Sequence, residues 1–274
     1  MHHQPFVPKI SEVRLATSTG VLTARIIDPR VVSELPPLVV LHGISRNACE
    51  LVELFLPEAI RTGRTIVVPH FSTEHWPVFQ RPCRKARPDQ ALLAILSRLA
   101  YQDAAFAGGV DLFGHSGGAQ LAHRFAMLFP QKVGRLHLAA AGWYCLPDAS
   151  MSYPYGLGID GTPDSLTWGR RHSQMLPQYL RLPVRVFVGT ADTDRDASLR
   201  QTPALDRIQG ATRLVRAETF VAHFQAAAHA QGIAPDISLT YMPGVTHDVA
   251  HAINSAELTR LVIDRESVSH THAI

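Results

Sequence analysis

Val110-Asp111-Leu112-Phe113-Gly114-His115-Ser116-Gly117-Gly118-Ala119-Gln120-Leu121-Ala122-His123-Arg124-Phe125-Ala126 is the stretch whose reading decides the fold. Residues 110–113 read as a strand and 119–126 as a helix. Between them, Gly114-His115-Ser116-Gly117-Gly118 has the form G-x-S-x-G. A strand that turns straight into a helix puts the serine in strained backbone, and side chains two residues to either side would collide. Glycine removes that clash. The helix that follows aims its N-terminus at the serine, where negative charge would develop. That context exposes a serine hydroxyl as a nucleophile; an ordinary glycine-rich turn is the competing reading of the pentapeptide alone.

Outward from this stretch the chain alternates strand and helix. Residues 11–18 and 21–28 read as a hairpin turning at Thr19-Gly20. Residues 37–43 form an apolar run without polar alternation, as expected of a parallel strand covered on both faces. A helix over 47–61 ends at Gly63, followed by a strand at 65–69, an irregular loop at 72–87 and a helix at 88–101. After the elbow helix, 117–129, come strands at 135–141, 184–189 and 238–242, with helical stretches at 203–231 and 248–264. This alternation predicts one α/β domain with a mostly parallel sheet and helices on both faces. Residues 143–182, rich in Pro, Gly, Tyr and Ser, break the rhythm and are too long for a bare connector. They are expected to form a lid-like insertion over the C-terminal edge of the sheet, where ligands bind.

A serine hydroxyl needs a general base, and the base needs an orienting carboxylate. In this architecture they follow the serine in the order acid, histidine, each on a loop after a strand. Gly189-Thr190-Ala191-Asp192-Thr193-Asp194 follows one strand and Pro243-Gly244-Val245-Thr246-His247-Asp248 another. Ser116, Asp192 and His247 are therefore the expected catalytic set. Asp194 is the alternative acid, and Asp196 beside Arg195 reads as a surface ion pair. An oxyanion hole would draw on the N–H groups of Gly117 and of Ile44, in the turn His42-Gly43-Ile44-Ser45. Trp143, Tyr144, Tyr153, Tyr155 and Trp168 are candidate walls of the substrate pocket; packing of the insertion onto the sheet is their other reading. His115 reads as a packed or water-facing residue, His223 and His229 as exposed ones, and Cys145 as a bystander thiol. His247 and His251 have metal-ligand spacing, but no third ligand is evident.

These parts resemble the α/β-hydrolase superfamily of serine hydrolases over residues 37 to about 265. A weaker resemblance, in 189–195 and Tyr153-Pro154-Tyr155-Gly156-Leu157, is to its esterase and polyester-depolymerase-like branch. The resemblance implies a sheet of about eight strands and hydrolysis of a carboxylic ester through an acyl-enzyme. Thioester or C–C bond cleavage on the same triad, or a ligand-binding protein without turnover, are the alternatives. His-Gly-Ile in place of His-Gly-Gly-Gly leaves less room for esters of tertiary alcohols.

The totals fit this reading. The 274 residues carry a formal charge of +3, with 46% hydrophobic and 18% charged residues, a globular balance. The densest basic stretch, 81–87, is short and broken by proline; it reads as a solvated loop, with an acidic ligand as the alternative. No nucleic-acid partner is expected from it. Phosphate-binding glycine loops are not seen, so no nucleotide cofactor is expected, and the expected mechanism needs neither metal nor cofactor. Cys49, Cys83 and Cys145, odd in number and widely spaced, argue against a disulfide framework. With no secretory leader or spanning run in view, a cytoplasmic protein acting on a small-molecule ester is the expectation.

Overall fold

The computed structural model describes residues 7–31, 33–84 and 86–263. The first six residues, where a secretory leader would begin, and the last residue of the 248–264 stretch lie outside these residues. Eight strands, β1 Lys9–Thr17, β2 Gly20–Asp28, β3 Leu38–Leu41, β4 Ile66–His70, β5 Val110–His115, β6 Val133–Ala139, β7 Val184–Gly189 and β8 Ile237–Met242, form one sheet in the order β1-β2-β4-β3-β5-β6-β7-β8. The β1–β2 hairpin pairs antiparallel, and β2 pairs antiparallel with β4; all pairings from β4 to β8 are parallel.

The apolar strands lack alternation because both faces are covered. In β3, Val39 and Leu41 pack with α2 (Pro88–Gln102), α3 (Gly117–Leu128) and the later helix Arg213–Ala230. Leu38 and Val40 point the other way, toward α1 (Ala48–Thr62) and the last helices of the chain. Strand β7 repeats this, with Val184, Val186 and Val188 on the first face and Phe187 on the second. Helix α1 ends where the sequence indicates, with Gly63 in the left-handed conformation.

The 143–182 segment is substantially helical and packed. Residues Ser165–Gly169 form a π-helical turn leading into α4 (Arg170–Gln174) and α5 (Leu176–Tyr179). Its Tyr144, Tyr153, Leu157, Trp168, Tyr179 and Leu180 join the first-face core. Two helical stretches break where a single helix was expected. Residues 203–231 divide into α6 (Pro203–Gln209) and α7 (Arg213–Ala230), because Gly210 turns at positive φ and Thr212 caps a new N-terminus by accepting from Val215 N–H. Residues 248–263 divide into α8 (Val249–Ala256) and α9 (Leu258–Ile263) at Glu257, whose φ is 50°. The loops after β3, β5, β6, β7 and β8 lie along one edge of the sheet, and the site is built from them.

Candidate active site

Ser116 sits between β5 and α3 with φ 54° and ψ −115°, a strained conformation costing about 1–3 kcal/mol. The surrounding backbone imposes it. A Cβ on Gly114 would lie 2.4 Å from the Gly118 carbonyl carbon, and one on Gly118 would lie 2.2 Å from the Leu41 oxygen. Only glycine allows this approach of α3 to β3 and β5. Ser116 N–H donates to Ala139 O at 2.9 Å, tying the elbow to β6.

The loops after β7 and β8 bring two distant residues to the serine. His247 Nε2 is 3.0 Å from Ser116 Oγ, and its Nδ1 is 2.9 Å from Asp192 Oδ2. A carboxylate on Nδ1 selects the tautomer with the proton on that nitrogen, which leaves the Nε2 lone pair facing the serine. Asp192 is buried, and its other oxygen is 3.4 Å from Arg213 Nη1. Arg213, also buried, extends to Asp196 at 2.8 Å and to Ser198 at 2.6 Å. Asp194 is exposed. Asp196 therefore belongs to the Arg213 network, which holds its carboxyl well below the usual range. Its expected partner, Arg195, pairs with Asp206 instead.

The turn after β3 is fixed by His42. Its Nδ1–H donates to Gly43 O at 2.8 Å, and Nε2 accepts from Phe71 N–H at 3.0 Å. Burial lowers its pKa to about 4, so the ring is neutral. Gly43 C=O and Ile44 N–H share one planar peptide and point opposite ways. With the carbonyl held by His42 and by Arg46 N–H, the Ile44 N–H faces away from them. Gly117 opens α3, so its N–H has no intrahelical partner. The two residues abut: a Cβ on Gly117 would be 2.9 Å from Ile44 Cγ2.

Two clefts meet at Ser116 and share Ile44 and Ser198. One, of about 360 Å³, contains His247 and is walled by Asn47, Glu50 and Asp248. The other, of about 370 Å³, is walled by Gln80, Arg81, Gln120, Trp143 and Arg200.

No family model and no curated protein matches this sequence, so the likeness is carried by structure. The chain is similar to poly(aspartic acid) hydrolase-1 from Sphingomonas sp. KT-1, at 26% identity and TM-score 0.77, covering 94% of this chain and 99% of that one. It is similar to a poly(3-hydroxybutyrate) depolymerase from Bordetella parapertussis, at 26% identity and TM-score 0.72, covering 92% and 94%. An S-formylglutathione hydrolase from Agrobacterium tumefaciens shares the fold at 15% identity and TM-score 0.58, over 96% and 98%. The chain has the α/β-hydrolase fold. As in those structures, its sheet is open and mostly parallel.

The structure brings Ser116, His247, Asp192, Ile44, Gly117 and Trp143 together. Four of the five expected pocket residues, Tyr144, Tyr153, Tyr155 and Trp168, line neither cleft. Tyr144 stacks on Phe220 with ring centroids 4.3 Å apart, inside the core. Tyr153 is buried against His172 and donates to Pro82 O. Both are packing residues, because the insertion needs large apolar groups to cover β6 and α3. Tyr155 supports Trp143 edge-on at 5.2 Å without lining either cleft. Stretch 81–87 is more than a solvated loop, since Arg81 lines a cleft and Arg87 clamps Asp89 while stacking on Trp168. His115 is buried, stacks on His247 at 5.0 Å, and is held neutral chiefly by burial and then by that neighbour. His223 is half-buried and pairs with Asp148 at 3.3 Å, while His229 is exposed. Burial pushes the Cys145 thiol up to about 11, and it donates to Gly156 O. Gln120, Ser198, Arg200 and Arg213 escaped the sequence reading. Only Gln120 carried a signal, lying one helical turn beyond Ser116 and hence on the same helix face. Among the described residues no cluster of three or more His, Cys, Asp or Glu could hold a metal, and no helix is long and apolar enough to cross a membrane.

Proposed function

We propose that this protein is a serine hydrolase that cleaves carboxylic esters through an acyl-enzyme. The observation that carries the reading is His247, bonded to Ser116 on one ring nitrogen and to Asp192 on the other. Ser116 Oγ attacks the acyl carbon as His247 Nε2 takes its proton. Asp192 holds the ring in register and stabilises the imidazolium. The N–H groups of Ile44 and Gly117 receive the oxyanion. The C–O bond to the alcohol then breaks, and His247 returns the proton to the departing oxygen. Water, deprotonated by the same nitrogen, attacks the acyl-enzyme; the acid leaves and Ser116 regains its proton.

Trp143 contributes an apolar wall, with Tyr155 behind it. The two structures at 26% identity are named for hydrolysis of polymers, one of them a polyester, which supports ester cleavage as the chemistry. The test is a fluorophosphonate probe with p-nitrophenyl butyrate as substrate. Labelling confined to Ser116, together with turnover that labelling abolishes, is the expected result. Turnover that survives full labelling, or labelling at another residue, overturns the reading.

A further inference from the structure

The two clefts at Ser116 differ in charge, and the reaction assigns a substrate part to each. His247 must reach the departing oxygen to protonate it. The leaving group therefore occupies the cleft that contains His247, and the acyl chain extends into the cleft that does not. No carboxylate lines this acyl cleft among the described residues, whereas Arg81 and Arg200 do. Arg81 has one ion pair, with Asp164 at 3.3 Å, both partners partly exposed. The Arg200 guanidinium lies 5.6 Å from the Trp143 and Tyr155 ring centroids and has no carboxylate partner among the described residues. The buried Arg124 lies 4.2 Å from the Trp143 ring centroid and donates to Gln120 O and Pro154 O, and among the described residues no carboxylate pairs with it. Gln120, 7% exposed, opens into the same cleft, and its side-chain amide makes no hydrogen bond among the described residues. The amide is open to solvent through the cleft, so a polar ligand group entering there takes the place of water on it. The opposite cleft carries Glu50 and Asp248, so a negative group is favoured on one side only.

We infer that the acyl cleft binds a carboxylate, so that the preferred substrates are esters whose acyl part carries a second, ionised carboxyl group, such as half-esters of dicarboxylic acids. Arg200 and Arg81 supply the charge, Gln120 an N–H donor, and the face of Trp143 packs the intervening methylenes. This inference rests on the ester-hydrolase reading above.

The test compares p-nitrophenyl hydrogen glutarate with p-nitrophenyl methyl glutarate, which share a leaving group and backbone and differ in charge. For the wild-type protein, kcat/KM favours the charged ester by at least about tenfold, the scale of one hydrogen bond to a charged group. Raising salt narrows the ratio. Arg200→Gln brings it close to one, and Arg14→Gln, on the far edge strand, keeps it. A wild-type ratio at or below one, with both esters hydrolysed, overturns the subsite and leaves the esterase reading intact. If neither ester reacts and the fluorophosphonate leaves Ser116 unlabelled, the esterase reading falls instead. Calorimetry then decides the subsite: glutarate binding tighter than valerate, with the difference lost in Arg200→Gln, supports it, and equal binding overturns it.

Discussion

Gly189→Ala probes how Asp192 and His247, the proposed acid and base, are held together. Gly189 ends β7, three residues before Asp192, and Val245 lies two residues before His247. The two loops meet backbone to backbone. Thr190 N–H donates to Met242 O at 2.9 Å and Ala191 N–H to Val245 O at 3.1 Å. A Cβ on Gly189 would stand 1.9 Å from Val245 O and 2.6 Å from Val245 C. Ordinary contact begins near 3.4 Å, so the carbonyl must retreat by roughly 1.5 Å. No flexible side chain is available to absorb that shift, because the obstructing atoms are main chain. The His247 loop moves with it, away from Asp192. A misplacement of about 1 Å in a catalytic group costs about 10²-fold in rate. Overpacking adds roughly 1–3 kcal/mol of destabilisation, a fall of about 2–4 °C in Tm per kcal/mol for a chain of this size. The assay is kcat and KM for p-nitrophenyl butyrate alongside a thermal melt. The expected result is a kcat loss near 10²-fold with KM little changed and a protein still folded at 25 °C. Gly108→Ala, with no atom within 4 Å of the added carbon, is the control and keeps both activity and Tm. A Gly189→Ala protein within twofold of wild-type kcat would refute the claim that this contact sets the His247–Asp192 geometry.

Ser116→Ala should lower kcat by about 10⁴ to 10⁶ while leaving the melt unchanged or raised, since it removes the proposed nucleophile from a strained turn; more than a tenth of wild-type turnover would be incompatible with that role. Asp192→Asn should cost about 10⁴ in kcat through the wrong imidazole tautomer, and Asp194→Asn, at an exposed position, little; the reverse order would move the acid to Asp194. Arg213→Met strips a buried cation from Asp192 and Asp196 and should cost roughly 3–5 kcal/mol in chemical denaturation, with part recovered by Arg213→Lys; an unaltered midpoint would show that the cation contributes nothing. His42 and His172 are both lowered to about 4 by burial, so between that value and the ordinary 6.5 the unfolded chain binds more protons. Stability should fall as pH drops through this window, by up to about 1.4 kcal/mol per pH unit for each histidine. A Tm that stays level from pH 7 to about 4.5 would contradict that linkage.

The fold was legible where local chemistry and burial agree. Strands β3, β5 and β7 are apolar without alternation because helices cover both faces, and their runs are found within a few residues. Element ends and breaks were less legible. The helical pattern continues through Gly210 and Glu257 because the flanking helices both need apolar faces, yet the chain turns there at positive φ. The insertion misled for a different reason. Its aromatic residues are what a pocket wall requires and also what a core requires. Only tertiary placement separates Trp143, on the cleft, from Tyr144, one residue later and stacked beneath α7.

The same distinction governs the site. Ser116, Asp192 and His247 are each announced by glycine-bearing turns after strands, so their spacing alone points to a common edge. The charges around them carry no local signature. Arg213 begins a helix, Arg200 lies in an irregular loop, Arg81 belongs to a proline-broken basic stretch, and Arg124 is one helical turn beyond Gln120. Along the sequence they are four unrelated arginines. Folding sorts them into two groups with different tasks. Arg213 spends its charge on Asp192 and Asp196, two carboxylates within hydrogen-bonding reach, so little of its field is left for a ligand. Arg124 and Arg200 pair with no carboxylate among the described residues and lie 4.2 Å and 5.6 Å from the same indole ring. A cation without a counter-ion keeps more of its field than a paired one, and Arg200 borders the open cleft that ends at Ser116. The ion-pair bookkeeping, rather than the number of arginines, therefore says which side of the serine should receive a negative charge.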